Sequence, residues 1–491
     1  MNKLKSAACV GLCFFVWFTP DAGAVRLKGQ AVTWADFSYI NHIASSINRV
    51  YFATTGGITR FNKIENCWEL PLTGAAGFGN EQVKRIWVEQ FDERLYVQTE
   101  FGFYEYDVLF DRWYPIDKLP QIETGCKHVA TPEDLLPSDG IMFIDGDVVT
   151  DMSHRRFVIS DILDDGSGNL WIGTWGNGAG QAGSSARLMQ LLPYGLLQNR
   201  VNAIYRDDSL LWISGALGNS YHSGVSVFHP ERNEFFYIES GVYSEFSASD
   251  VNCLEGDAKW IYIGTAEGLY VADRARREVV DYVGRNQGLA DFNVLCLRKV
   301  GDSLFLGTAR GLDLLDFTTD SIKHLYTNQF SNRLIYDLDL VDNHLWIASG
   351  VGAYRLSLET GKLQKFNDPH GVLFSRVYDV EHYGSRVWLA SDGGVLSLDI
   401  NTGATEPYAD ILRRVDSRAL AVNDSIVAVA SDVGMTIIFL GRTKSFSRDF
   451  TTEDGLASNY VYSLVLDGDY IWIGTDRGLT RFLWNNPERV D

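Results

Sequence analysis

The stretch Ile471, Trp472, Ile473, Gly474, Thr475, Asp476, Arg477, Gly478, Leu479, Thr480, Arg481, Phe482 decides how the whole chain is read. An apolar run with an aromatic at its centre ends in a small residue and a threonine. Two variable residues and a glycine follow, and a second apolar run returns. The apolar runs fit buried strands and the glycine fits a tight turn, so the unit is a hairpin. Ahead of it Val461 to Leu466 reads as another strand, ended by Asp467, Gly468 and Asp469. A further outer strand completes a four-stranded sheet.

The same pattern recurs along the chain. Aligned on the aromatic slot, its copies centre on Tyr51, Tyr96, Trp171, Trp212, Tyr262, Phe305, Trp346, Trp388, Ala428 and Trp472. The intervals are 45, 75, 41, 50, 43, 41, 42, 40 and 44 residues, and only the second is far from the rest. Four strands every 40 to 45 residues is the signature of a β-propeller blade, so the chain reads as an all-β propeller of ten repeats. An open solenoid would need polar caps at its ends. Here the last repeat supplies three strands, and Val25 to Trp34 forms a spare strand ahead of the first. The N-terminal strand is therefore expected to complete the last blade, which leaves no free edge. This reading favours one ten-bladed ring over residues 25–491, with an irregular insertion at about 107–160. Two smaller rings in tandem are the alternative.

The first residues have a basic start at Lys3 and Lys5, an apolar stretch through Phe18 and a small-residue end at Ala22, Gly23 and Ala24. That is the pattern of a secretory signal peptide over residues 1–24, and it predicts a periplasmic or secreted protein with no transmembrane segment in the mature chain. A formal charge of −20 repels phosphate backbones and argues against a nucleic-acid partner. With 46% hydrophobic residues there is ample material for a core.

Cys253 and Cys296 share one slot in successive repeats, where Ala203 and Ser463 also stand, so they read as small core residues. Cys67 and Cys126 lie in less regular segments and are candidates for a disulfide in an oxidising compartment. No zinc, phosphate-loop or nucleophile-elbow motif is present, so no cofactor, metal or catalytic residue is predicted. Binding candidates come from what breaks the repeat. Two successive copies carry expanded turns, 174–185 and 217–224, which should emerge side by side. Trp175 and Tyr221 are placed to stack on a ligand, with Asn177, Gln181, Asn219 and His222 as hydrogen-bonding groups. Asp392, Asp432 and Asp476 occupy one turn slot in three successive blades and form a candidate acidic arc. Aspartate at such a turn more often bonds its own backbone.

The block Thr452 to Asn459, followed by a strand and by Ile471 to Leu479, resembles the two-component regulator propeller repeat. Asn286 to Gly311 and Gly168 to Thr174 resemble further copies. The resemblance implies an extracytoplasmic binding role without the kinase of the sensor proteins, since fold alone does not fix function. The expected function is a non-catalytic binding or scaffold protein holding an envelope protein or a glycan. The alternative is a polysaccharide-acting lyase or hydrolase with its site at the central channel.

Overall fold

The computed structural model describes residues 31–485, apart from 74–77, 80, 109, 111, 184, 219, 243–245, 374–375, 409–416 and 442–444. The proposed signal peptide lies outside the described residues. The described residues form ten sheets, nine of four antiparallel strands and one of eight that includes one short parallel pair. Numbered in chain order, the blades are 1 (40–72), 2 (85–116), 3 (127–192), 4 (203–239), 5 (251–283), 6 (294–325), 7 (335–365), 8 (377–407), 9 (419–450) and 10 (461–483 with 31–34).

Local chemistry explains why every blade looks alike. The Thr or Ser that ends the second strand clasps the turn. Thr475 Oγ1 donates to the Gly478 carbonyl at 2.9 Å and accepts from the Arg477 amide at 3.1 Å. Thr265, Thr308, Ser349 and Ser431 do the same in other blades. The anchor aromatic is held from the opposite end by the aspartate closing the first strand. Trp171, Trp212 and Trp472 donate their indole N–H to Asp165, Asp207 and Asp467 at 3.0–3.1 Å, and Tyr262 donates to Asp257 at 2.9 Å. A buried indole N–H needs such a partner. Burying an anchor ring between blades stabilises the fold by roughly 2–3 kcal/mol.

The N-terminal strand Ala31–Trp34 pairs antiparallel with Gly478–Leu483, as the spare-strand reading expects. Gly478 adopts φ 128°, and an added Cβ would lie 2.3 Å from the Trp34 carbonyl oxygen.

The ring itself differs from the ten-bladed expectation. In several blades, a glycine of the second strand admits an apolar residue at or just before the start of the next blade's inner strand. Gly264 faces Val294, Gly307 faces Ile335, and Gly474 faces Val201. Blade 10 is thus followed by blade 4. The Val201 amide donates to the Thr475 carbonyl at 2.8 Å, as Val461 does to Ser431 and Val251 to Gly215 between other neighbours. Trp34, Val201, Leu211, Phe228 and Trp472 share one core across that closure. The inner strands of blades 4 to 10 run in sequence and return to the start, so the closed ring has seven blades. Blades 3, 1 and 2 form a separate sector in that spatial order, with Gly173 against Ile40 and Asn41 Nδ2 donating to the Val83 carbonyl at 2.8 Å.

The chain passes between ring and sector twice, at 35–39 and 193–201, where Asp36 bridges Gly195 and the Leu196 amide donates to the Ala35 carbonyl at 2.9 Å. Trp68 of the sector stacks on Tyr194 at 4.8 Å, and Tyr194 Oη donates to Asn233 Oδ1 of the ring at 2.9 Å.

The irregular insertion resolves into parts. Arg112–Ile116 is the outer strand of blade 2, while 127–128, 136–137 and the hairpin Ile141–Asp145 with Val148–Asp151 enlarge blade 3. The predicted Cys67–Cys126 disulfide is absent, and both thiols are free. Cys67 sits on the outermost strand of blade 1, while Cys126 lies beside Ser45 of the innermost. Three strand spacings, about 14 Å, separate those strands, well beyond disulfide reach.

Candidate functional site

A cleft of about 700 Å³ opens on the turn face where ring and sector meet. Tyr39 and Trp175 form part of its wall, Arg200 and Ser220 come from the ring side, Glu81 from the segment between blades 1 and 2, and Asp476 from blade 10. The crossovers place these residues, because 35–39 and 193–201 carry the chain along the seam.

Asp36 fixes the seam. Its buried carboxylate accepts from the Ser38 amide at 3.0 Å, Ser38 Oγ at 2.5 Å and Ser220 Oγ at 3.0 Å, and its own amide donates to Asn199 Oδ1 at 2.9 Å. Burial raises its pKa above the usual carboxylate value, and those hydrogen bonds oppose the rise. The Ser220 bond ties the long blade 4 turn to the crossover. Tyr39 stands beside it, with its ring edge-on to Trp175 at 5.4 Å and stacked on Tyr221 at 6.0 Å. The Tyr221 amide donates to Tyr39 Oη at 3.1 Å. Burial, followed by the charge of Asp36, pushes the Tyr39 phenol up to about 12, so it stays a neutral hydroxyl.

Trp175 and Tyr221 are brought together as the sequence suggests, both on Tyr39, with relative exposures of 41% and 55%. Asn177 sits in the blade 3 turn, its amide donating to Thr174 Oγ1 at 3.0 Å and its buried Nδ2 without a hydrogen-bond partner among the described residues. Asn219 lies outside the described residues. Two expectations are corrected. Gln181 belongs to the strand Ala179–Gly183, where it donates to Asn169 Oδ1 at 3.3 Å, because the turn spans only one residue more than in other blades. His222 is buried rather than offered to a ligand. It donates from Nδ1 to Glu239 Oε1 at 2.5 Å and from Nε2 to the Gly176 carbonyl at 2.6 Å, and it stacks on Phe157. Desolvation lowers its pKa, but the carboxylate of Glu239 outweighs that and raises it.

Of the acidic arc, Asp476 reaches the cleft, and its buried Oδ1 has no partner among the described residues. Asp392 faces Arg376 at 3.5 Å through Oδ2, its buried Oδ1 likewise without a partner among the described residues, and Asp432 is half-buried in the blade 9 turn. The turn backbone is held by the preceding Ser or Thr in all three blades rather than by the aspartate.

Tyr39, Asp36, Asn199 and Arg200 were not anticipated. They lie in crossover segments that belong to no repeat, and that exclusion was the available signal.

The ring channel carries a second polar cluster. Asp337 and Asp379 bond each other there, with Glu255, Asp339, Glu381 and Arg298 nearby. Burial raises Glu255 to about 7 and Glu381 to about 8, with neighbouring acids adding to the rise. Several of these groups bond the adjacent blade. Asp337 Oδ2 accepts from the Val380 amide at 3.1 Å, and Asp379 accepts from the Leu420 amide. Arg298 donates to the Leu338 carbonyl at 3.1 Å and pairs with Asp339, which also takes His382 at 2.5 Å. Acceptors already filled by backbone amides are stitches between blades, which is a poor arrangement for general acid–base work.

Residues 455–477 match the model of the two component regulator propeller, so the chain carries that repeat. No curated protein matches the chain in sequence. Among solved structures, PorZ, an essential bacterial surface component of the type-IX secretion system of Porphyromonas gingivalis, is similar over 91% of this chain and 74% of its own, with 16% identity and a TM-score of 0.52. The extracellular domain of the putative hybrid two component system BT4673 from B. thetaiotaomicron matches over 92% and 70%, with 14% identity and a TM-score of 0.49. At such identities the likeness is one of fold, a β-propeller.

Proposed function

We propose that the protein is a non-catalytic binding or scaffold protein of the extracytoplasmic envelope, and that it holds a protein partner in the cleft between ring and sector. The observation that carries this reading is the cleft itself. It combines an aromatic wall, Tyr39 and Trp175, with a buried carboxylate oxygen of Asp476 that has no partner among the described residues. An unpaired buried acceptor is costly, and a donor from a bound partner removes that cost.

Several observations support the location. The N-terminal residues have signal-peptide character, and no helix among the described residues is long and apolar enough to cross a membrane. PorZ, which shares the fold, is described as a surface component of a secretion system. The channel carboxylates of Asp337, Asp339 and Asp379 do not support the enzyme reading, because the adjacent blades already use them.

The test is a pull-down of the mature chain from its native envelope, comparing wild type with Trp175→Ala combined with Asp476→Arg. Trp175 is partly exposed and Asp476 stands in a turn, so the fold should survive both changes. One protein partner enriched by wild type and lost from the variant is the expected result. Equal enrichment by both forms places the binding surface elsewhere, and retention of glycan alone sinks the protein-partner reading.

A further inference from the structure

The inner wall of the three-blade sector brings together three side chains far apart in sequence. His42 comes from the inner strand of blade 1, Asp161 from the long strand Arg156–Asp164 of blade 3, and His128 from the short strand Lys127–His128 paired along it. One donor atom from each lies within 4.8 Å of the other two. We propose that His42, His128 and Asp161 bind a divalent metal ion of borderline softness, zinc foremost, which pins blade 1 to blade 3.

The donor set suits that chemistry. Two imidazoles and one carboxylate leave a coordination position for water, the pattern of an open zinc site, and also suit other first-row ions. The supporting contacts suit it as well. The Ile43 amide donates to Asp161 Oδ2 at 2.8 Å, which orients the carboxylate toward the two rings. His128 Nδ1 lies 2.7 Å from Asp161 Oδ1, so an ion held between them needs only a small spreading of that pair.

The His42 ring stands 4.6 Å from that of His128 and packs on Trp87 at 6.2 Å. Its Nδ1 is buried with no hydrogen-bond partner among the described residues, while the ring also bonds the Ile86 backbone. A ligating histidine commonly holds its other nitrogen in that way. The nearest opposing charge is Arg85, whose side chain is exposed and therefore screened. His128 is 45% exposed at its side chain and gives an ion a path from solvent.

The other histidine–carboxylate pairs lack this arrangement. His222, His324 and His382 each meet a carboxylate. Among the described residues, only the sector places two imidazoles and a carboxylate together. No local zinc motif marks these residues in the sequence, because they are assembled by blade packing. The sector also has a structural use for the ion. The seven-bladed ring is locked by its own circular closure, and an ion would give the blade 3 to blade 1 contact a cross-link.

The experiment uses the full mature chain, purified without a histidine tag and stripped with a chelator. Cobalt(II) is titrated in while its visible absorption is followed, and zinc is then added in competition. The expected result is one cobalt ion per chain, displaced by zinc, with a rise in Tm on loading. His128→Ala and Asp161→Asn should each weaken uptake by more than about tenfold. His128 is exposed, so the Tm of His128→Ala in chelator should match wild type and separate ligand loss from misfolding. No uptake at micromolar metal, or uptake unchanged in both variants, overturns the proposal.

Discussion

At the scale of single residues, His222 shows how a side chain chosen as a ligand contact serves the fold instead. Both of its nitrogens donate, one to Glu239 and one to the Gly176 carbonyl, so the charged imidazolium is the form the structure favours. Its pKa is raised above 6.5 and that of Glu239 lowered below 4.5, so the two directions agree. A raised histidine contributes stability that is fully present below about pH 6.5 and is lost as pH rises through the folded value. His222→Gln should therefore be less stable than wild type at pH 5.5, by roughly 1–3 kcal/mol for a broken buried charged hydrogen bond. The difference should shrink at pH 8.5, as urea midpoints at the two pH values would show. An equal deficit at both values would mean that the ring packs on Phe157 without titrating. The identity of such contacts was not legible in the sequence, because Glu239 meets His222 across the outer hairpin of blade 4 and Gly176 meets it only through the packing of blade 4 on blade 3.

At the scale of the element, the repeat was legible because each strand's chemistry is local. The aromatic anchor, the Thr or Ser clasp and the turn glycine fall within a dozen residues, and all recur in the structure as the spacing predicts. The inner strands were less legible. Their third residue packs toward the following blade, and it is Cys253, Cys296, Asp337, Asp379 or Ser463 in different blades, a set with no common hydropathy. What these residues share is contact with the following blade, as Asp337 takes the Val380 amide and Cys296 Sγ lies 3.7 Å from the Ile335 carbonyl oxygen. The crowding of acids has a measurable result. Burial and neighbouring Asp339 raise Glu381 to about 8 from 4.5. A raised carboxylate binds its proton more tightly in the native state, so the stability it contributes is present below about pH 4.5 and lost as pH rises through about 8. Glu381→Gln keeps the neutral shape, so it should match wild type at pH 4.5 and exceed it in thermal midpoint at pH 8.5. A variant that loses stability equally at both values would show that Glu381 is ionised in the native ring.

At the scale of the molecule, the propeller class and the closing strand were legible, and the arrangement of the blades was not. Periodicity reports the strand order inside a blade, whereas the identity of the next blade depends on which inner strand fills the small slot at Gly474 or Gly173. Val201 and Ile40 fill those two slots, so blade 10 meets blade 4 and the first three blades fall outside the ring. The crossovers that permit this are short, and neither produced a gap in the repeat spacing that marked a boundary. The architecture makes a strong prediction about connectivity. Ala31 lies opposite Phe482 in an antiparallel pair, so a short glycine-containing loop can join Asn485 to Ala31 as an ordinary hairpin. A rearranged chain of residues 199–485, that loop and residues 31–35 contains every strand of the seven-bladed ring and none of the sector. It should fold as a monomer with one cooperative thermal transition, because its core at Trp34, Val201, Phe228 and Trp472 is intact. The sector face at Tyr194 is left out, so little apolar surface is newly exposed beyond Phe235 and its neighbours. If ten blades shared one ring, the same chain would lack three of them and leave two open faces. Circular dichroism and size-exclusion chromatography distinguish the outcomes, since a folded monomer requires closure at seven and an aggregated or unfolded product would overturn it.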